Sequence, residues 1–312
     1  LEDKSNFLAG VNYSLKQPLT RWQFDGSVRE DTILRQVDVI EDPGDVTIEP
    51  DDDVDDASVQ TTVQRDRIVL RPSWSRSLSE LTGVRIAYRY NKVDYDPVSG
   101  TGLTEFEDHR LTTELFRNIT EIDEFAGSLQ VLKYRAPDAD REYDGVTLEA
   151  VLRHRFDETT SGEIRGGVFT TDYDTPTETG SEDGYTLGVE GSKRTGVTRY
   201  SARLRRTLYP TGAGDVVRTD EFVFNIFHKL SERSQVSLKS RVFENRSLRA
   251  DNPDANRRYL SFEPRYNWRM SPNWLLDLRY RYQRQNRDTD VSSAESNAIL
   301  VSFIYRARRP LD

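Results

Sequence analysis

The chain has 312 residues, 31% of them charged, with a formal net charge of -9 and a mean hydropathy of -0.74. This excludes a helical membrane protein, because no stretch approaches the roughly 20 consecutive apolar residues that a spanning helix requires. Aromatic residues make up 10% of the chain and recur in alternating positions, which argues against a disordered chain too poor in apolar surface to fold.

Alternation predicts antiparallel strands at 6–15, 20–34, 63–77, 82–95, 105–118, 124–135, 144–157, 161–173, 184–193, 197–209, 218–230, 234–247, 257–270, 274–286 and 295–307. The pattern is plain in RDRIVLRPSWSRSL, where Ile68, Leu70, Pro72 and Trp74 share one face and Arg67, Arg71, Ser73 and Ser75 the other. It returns in RRYLSFEPRYNWRM, where Leu260, Phe262, Pro264, Tyr266, Trp268 and Met270 oppose Ser261, Glu263, Arg265, Asn267 and Arg269. The two hairpins match at an offset of about 192 residues, Pro72 aligning with Pro264 and Tyr88 with Tyr280. Repeated hairpins along the whole length read as a single domain, 1–312.

Connections alternate in length. KQPLT, SELT, TEID, ETT, RTG, SERS and SPN are short, and longer acidic or Gly/Pro-rich segments lie between them. Tight turns alternating with long loops, joined by strands of about ten residues, are the layout of an antiparallel transmembrane β-barrel in a Gram-negative outer membrane. Such barrels have even strand numbers. Fifteen strands, the first followed by a short turn, therefore predict one strand missing at the N-terminus and about 16 in all. No charged-then-apolar leader opens the sequence, which reads as a processed chain or a fragment. A soluble β-sandwich or solenoid is the alternative for the same alternation.

In a bilayer the apolar register faces lipid. Trp74, Tyr88, Tyr90, Trp268, Trp274, Tyr280, Tyr282 and Tyr305 are then expected toward strand ends as interfacial girdles. The opposite register carries Arg71, Arg85, Arg89, Arg153, Arg155, Arg165, Arg199, Arg203, Arg205, Arg241, Arg265, Arg269, Arg279 and Arg281, expected to line a lumen as the substrate path. Arginines number 37 against 7 lysines, and the planar guanidinium suits carboxylate and phosphate partners. Two readings stand side by side: a conduit that attracts anions, and a ladder in which Glu149, Glu163, Glu190, Glu263 and Asp277 pair the arginines and stiffen the wall.

Other chemistry is sparse. The acidic run Glu49–Asp56, inside the long connection 37–61, is a candidate for a divalent cation, although no EF-hand spacing frames it. Cysteine is absent, and His109, His154 and His228 are the only histidines. With no GxSxG, P-loop or dinucleotide fingerprint, no enzyme, cofactor, metal or nucleic-acid partner is expected. His109 is the one residue around which a rim hydrolase could be sought.

In the C-terminal half, YPTGAGD at Tyr209–Asp215, LSER at Leu230–Arg233 and SPNWLLDLRYRYQRQ at Ser271–Gln285 resemble a family of outer-membrane β-barrels encoded with exopolysaccharide and PEP-CTERM-associated systems. The resemblance spans roughly 63–307. It implies an outer-membrane pore that exports an acidic exopolysaccharide, set in lipopolysaccharide and working with periplasmic export proteins. A general anion-preferring porin and a structural or scaffold barrel are the alternatives.

Overall fold

The computed structural model describes residues 7–32, 64–96, 103–212, 214–248, 256–287 and 293–305. They form fifteen strands: β1 Phe7–Lys16, β2 Thr20–Thr32, β3 Gln64–Ser77, β4 Thr82–Asp96, β5 Phe106–Asn118, β6 Asp123–Ala136, β7 Arg141–Arg155, β8 Thr160–Asp174, β9 Thr179–Thr195, β10 Thr198–Pro210, β11 Val216–Lys229, β12 Ser234–Ser247, β13 Arg257–Arg269, β14 Trp274–Arg287 and β15 Ala294–Tyr305. All belong to one sheet in which each strand pairs antiparallel with the next in sequence. Every strand foreseen from alternation is present, and two begin three or more residues early. β7 starts at Arg141 because a single 3-10 turn, Pro137–Ala139, closes the connection tightly, with Asp140 at a left-handed φ of 51°. β9 starts at Thr179 because its polar first residues continue the ladder opposite Thr170–Asp174 without any apolar alternation to announce it.

Five of the short turns share one construction. A hydroxyl or carboxylate at the first turn position accepts backbone N–H groups two or three residues on: Ser79 from Leu81 and Thr82, Thr120 from Ile122 and Asp123, Asp157 from Thr159, Ser231 from Arg233, and Ser271 from Asn273 and Trp274. Side chains of this kind offer the backbone a local partner that ends a strand and reverses it. The repeated hairpins share a second device. Backbone pairing is interrupted beside Pro72 in β3–β4 and beside Pro264 in β13–β14, while the register on either side is kept. Proline has no N–H to give the ladder.

The pairing register sorts the side chains into two faces. One carries Leu111, Leu115, Leu129, Leu148, Ile164, Val168, Leu204 and Phe222, all exposed. An apolar surface of this extent has no place in water and is the face that meets lipid. All four tryptophans, Trp22, Trp74, Trp268 and Trp274, lie on it near the short-turn end, Trp22 against Trp74 and Trp274 against Tyr305. That is the interfacial position expected of the girdle. Tyr88, Tyr90, Tyr280 and Tyr282 share the face but sit nearer mid-strand than their grouping with the tryptophans suggested.

The other face is concave, and groups many strands apart meet across it. The Tyr134 hydroxyl on β6 donates to the Thr211 carbonyl after β10 at 2.9 Å, and the Tyr143 hydroxyl on β7 donates to Asp215 at 2.8 Å. β1 and β15 are the two edges of the sheet and run in the same direction; among the described residues they do not pair with each other. The sixteenth strand expected upstream lies outside the described residues. Among the described residues no helix is long and apolar enough to cross a membrane, which says nothing about strands.

Candidate functional site: the concave face

Register places every one of the fourteen predicted arginines on the concave face. Arg71 stands opposite Asp25, Arg89 opposite Arg110, Arg155 opposite Ser161, Arg199 opposite Phe227 and Arg269 opposite Leu275. The same face holds Arg65, Arg67, Arg110 and Arg257, which also fall in that register inside the predicted strands.

Carboxylates engage many of these arginines. The densest cluster lies toward the short-turn end. There Arg153 donates from Nη2 to Glu114 at 2.7 Å, from Nη1 to Glu124 at 2.6 Å and from Nε to Glu163 at 2.7 Å. Arg85 shares Glu124 at 2.7 Å and also pairs with Glu114. Arg165 donates to Glu163 at 2.9 Å and reaches Glu149 at 3.4 Å. Further around the sheet, Glu221 takes Arg203 at 3.0 Å and Arg241 at 2.6 Å. Asp277 takes Arg265 in a two-pronged contact at 2.8 Å, and Glu263 takes Arg281 at 2.7 Å and Arg279 at 3.6 Å. Arg155 donates to the Glu121 carbonyl at 2.7 Å. Of the five acidic residues foreseen as ladder partners, Glu149, Glu163, Glu263 and Asp277 are engaged. Glu190 stands opposite Arg203 and Glu163 in register.

The two ends of this face differ. Toward the short turns it opens into a vestibule of ≈ 470 Å³, lined by Glu124, Arg153, Glu163, Arg165 and Glu190 together with the turn at Thr120–Ile122. Toward the long connections it is filled. The segment between β10 and β11 folds inward, with the Gly212 carbonyl accepting from the Thr104 N–H at 2.9 Å and Asp215 bridged to Arg141 at 3.0 Å. An apolar cluster of Tyr95, Leu103, Phe106, Leu132, Tyr134, Tyr143, Phe169 and Leu208 packs around it. Gly212 and Gly214 make the close approach possible. A Cβ at Gly212 would lie 2.6 Å from the Tyr95 hydroxyl, and Gly214 has φ +82°. Beneath this segment lies a cavity of ≈ 20 Å³ among Arg65, Arg67, Arg89, Arg110, Asn91 and Asp108, about the room of one water.

This inward segment is YPTGAGD, which sequence reasoning recognised as a motif but read as an outer connection. Its partners Tyr134 and Tyr143 lie 77 and 72 residues away. The local signal that could have found it is the appearance of aromatic residues, Tyr95, Tyr134 and Tyr143, in the register that elsewhere carries arginine.

The histidines stand on the lipid side. His109 Nδ1 meets the Tyr88 hydroxyl, His154 meets Asp123 and His228 meets the Thr198 hydroxyl, each at 2.6 Å. No serine or carboxylate hydrogen-bonds His109 among the described residues. No group of metal-ligating side chains is found among them either. The acidic run Glu49–Asp56, with the rest of 37–61, lies outside the described residues.

Fold and surface together define a class: the chain is a Gram-negative outer-membrane β-barrel. Solved structures with this architecture include the copper transporter OprC and BauA, the ferric preacinetobactin receptor of Acinetobacter baumannii. OprC superposes with a TM-score of 0.51 at 11% identity over 92% of this chain and 62% of that one, and BauA with 0.50 at 10% over 95% and 61%. The chain thus spans about three fifths of the length of each, and at such identity the likeness is one of fold. No family model matches the sequence, and no curated protein matches it.

Proposed function

We propose that this barrel is an outer-membrane pore that passes anionic solutes, an acidic exopolysaccharide among them, along its arginine-bearing inner face. The observation that carries the reading is a segregation of charge. The whole chain is acidic, at -9, yet on the strands' concave face arginines outnumber carboxylates, and Glu221 and Glu263 each serve two of them. A basic channel wall with low-dielectric sides focuses its field on the path and draws anions in. A graded series of weak contacts suits a long polyanion, which has to leave each position as readily as it enters. The polysaccharide, and with it lipopolysaccharide and periplasmic export proteins as partners, comes from the resemblance carried by Tyr209–Asp215, Leu230–Arg233 and Ser271–Gln285.

The test is single-channel conductance of the refolded chain in planar bilayers, with the reversal potential read in a salt gradient. An anion-selective reversal potential is expected, weakening as salt rises toward 1 M, where the Debye length falls to about 3 Å. Cation selectivity would overturn the reading. A second reading, a stoppered or scaffolding barrel, is favoured by the inward segment at Tyr209–Asp215 and by the arginines already held by carboxylates. A silent membrane with verified insertion would select it.

A further inference from the structure

At least eight of the fourteen arginines have a carboxylate within ion-pair distance, and among the rest Arg205 is informative because its opposed neighbours leave it none. Arg205, on β10, stands between Gly188 on β9 and Glu221 on β11. Gly188 offers no side chain. Glu221 is the directly opposed carboxylate, but Arg203 donates to its Oε2 at 3.0 Å and Arg241 lies at ion-pair distance, 2.6 Å, from its Oε1. Among the described residues Arg205 makes no ion pair, and its Nε is buried without a hydrogen-bond partner. Among the charges that bear on it most strongly are three arginines, Arg165, Arg110 and Arg203, and one carboxylate, Glu149. Glu149 is itself within 3.4 Å of Arg165.

The arrangement is built into the sequence. Arg165 also stands opposite Gly188, and a Cβ there would lie 2.5 Å from Arg165 Cγ. The glycine thus leaves room for the Arg165 side chain to lie over β9 toward Arg205. Arg165 lines the vestibule at the short-turn end and Arg110 lines the small cavity beneath the inward segment. Arg205 therefore sits electrostatically between the two spaces, deep in the molecule but partly accessible. A guanidinium held among like charges and short of a counter-ion costs free energy that a bound anion would recover.

We propose that Arg205, with Arg165 and Arg110 beside it, forms an anion-binding point midway along the inner face, fitted to the carboxylate, sulfate or phosphate group of a solute. This rests on the anionic-pore reading and assigns that reading its strongest contact. The planar fork of Arg205 takes two oxygens of such a group at once.

The test measures binding of tetragalacturonate, a linear oligomer of uronic acid, to the full chain folded in detergent micelles, by calorimetry, with neutral maltotetraose as the comparison. Tetragalacturonate is expected to bind the unsubstituted protein and maltotetraose is not. Arg205→Gln is expected to weaken tetragalacturonate binding about ten-fold, while Arg233→Gln, at an exposed arginine of the β11–β12 turn outside the concave-face set, changes it less than two-fold. Arg205→Lys keeps the charge and loses the fork, with an expected loss of about three-fold; it decides the matter if the glutamine variant does not fold. Undiminished binding in either Arg205 variant, or an equal loss in Arg233→Gln, overturns the site. An anion-selective pore that binds no tetragalacturonate overturns the site and leaves the pore reading standing. A cation-selective pore that binds it through Arg205 does the reverse.

Discussion

At the scale of single residues, position within a polar network decides what each arginine contributes. Arg153 is the hub of its cluster, since one guanidinium satisfies Glu114, Glu124 and Glu163. Its removal leaves Arg85 and Arg165 to hold three carboxylates on a partly buried surface. Stranding charge in this way costs more than the pair itself contributes. Arg153→Met is therefore expected to lower stability by about 3 kcal/mol, read as a lower urea midpoint in detergent with an unchanged slope. Arg155→Met, next along the same face but bonded among the described residues only to a turn carbonyl, should change it by less than about 1 kcal/mol. Equal effects would mean that the network is not cooperative. Outside the membrane-spanning strands, the Asp157 carboxyl in the β7–β8 turn is held down to about 2 by the Thr159 hydroxyl, helped by the backbone N–H groups of Thr159 and Thr160. A depressed carboxylate contributes stability above its unfolded pKa of about 3.9 and loses it as pH falls through its folded value. The Thr159 amide resonance is accordingly expected to titrate with a midpoint near 2; a midpoint near 4 would show that the turn does not hold the carboxylate.

At the scale of elements, the inward segment between β10 and β11 occupies part of the concave face at its long-connection end. Four contacts hold it: the Tyr134 and Tyr143 hydroxyls, the Thr104 N–H and the Arg141 guanidinium. Gly212 has no room for a side chain, with the Tyr95 hydroxyl 2.6 Å and Leu103 Cδ2 3.4 Å from where a Cβ would stand. Gly212→Val should push the segment off its seat, and single-channel conductance is expected to rise several-fold while the strands, which pair independently of it, remain folded. Unchanged conductance would show that the segment does not set the narrowest point. This element also marks what sequence could and could not reveal. Strands, turns and faces were legible because alternation, hydroxyl-led turns and arginine register are local and repeat every few residues. The seating of Tyr209–Asp215 was not, because it depends on tyrosines more than 70 residues away, and the residues that mark it, YPTGAGD, read equally well as a loop. Arg205 was visible as one arginine of a series. Its distinction, a glycine on one side and an already engaged glutamate on the other, needs the strand register and the side-chain pairing of Glu221 together.

At the scale of the whole molecule, the two faces place opposite demands on one ladder. The lipid face keeps large aliphatic side chains exposed, Leu148 at 57% and Val168 at 61%, and its stability depends on hydrocarbon surrounding it rather than on packing within the chain. Leu148 lies in the middle of β7 beside Thr147 and Glu149, which face the concave side. A charge at this depth on the outer face is expected to cost about 2–4 kcal/mol near the bilayer midplane, whereas on the inner face charges meet partners or water. Leu148→Arg should therefore fold poorly into lipid vesicles and recover in short-chain detergent, where the introduced charge reaches water. Glu149→Gln, one residue along, should fold into the same vesicles with much less loss, because its side chain never meets lipid. If both substitutions behaved alike in vesicles, the assignment of faces on which the arginine path depends would be wrong; a selective failure of Leu148→Arg fixes the orientation of the whole meander, since each register of antiparallel pairs hands it to the next.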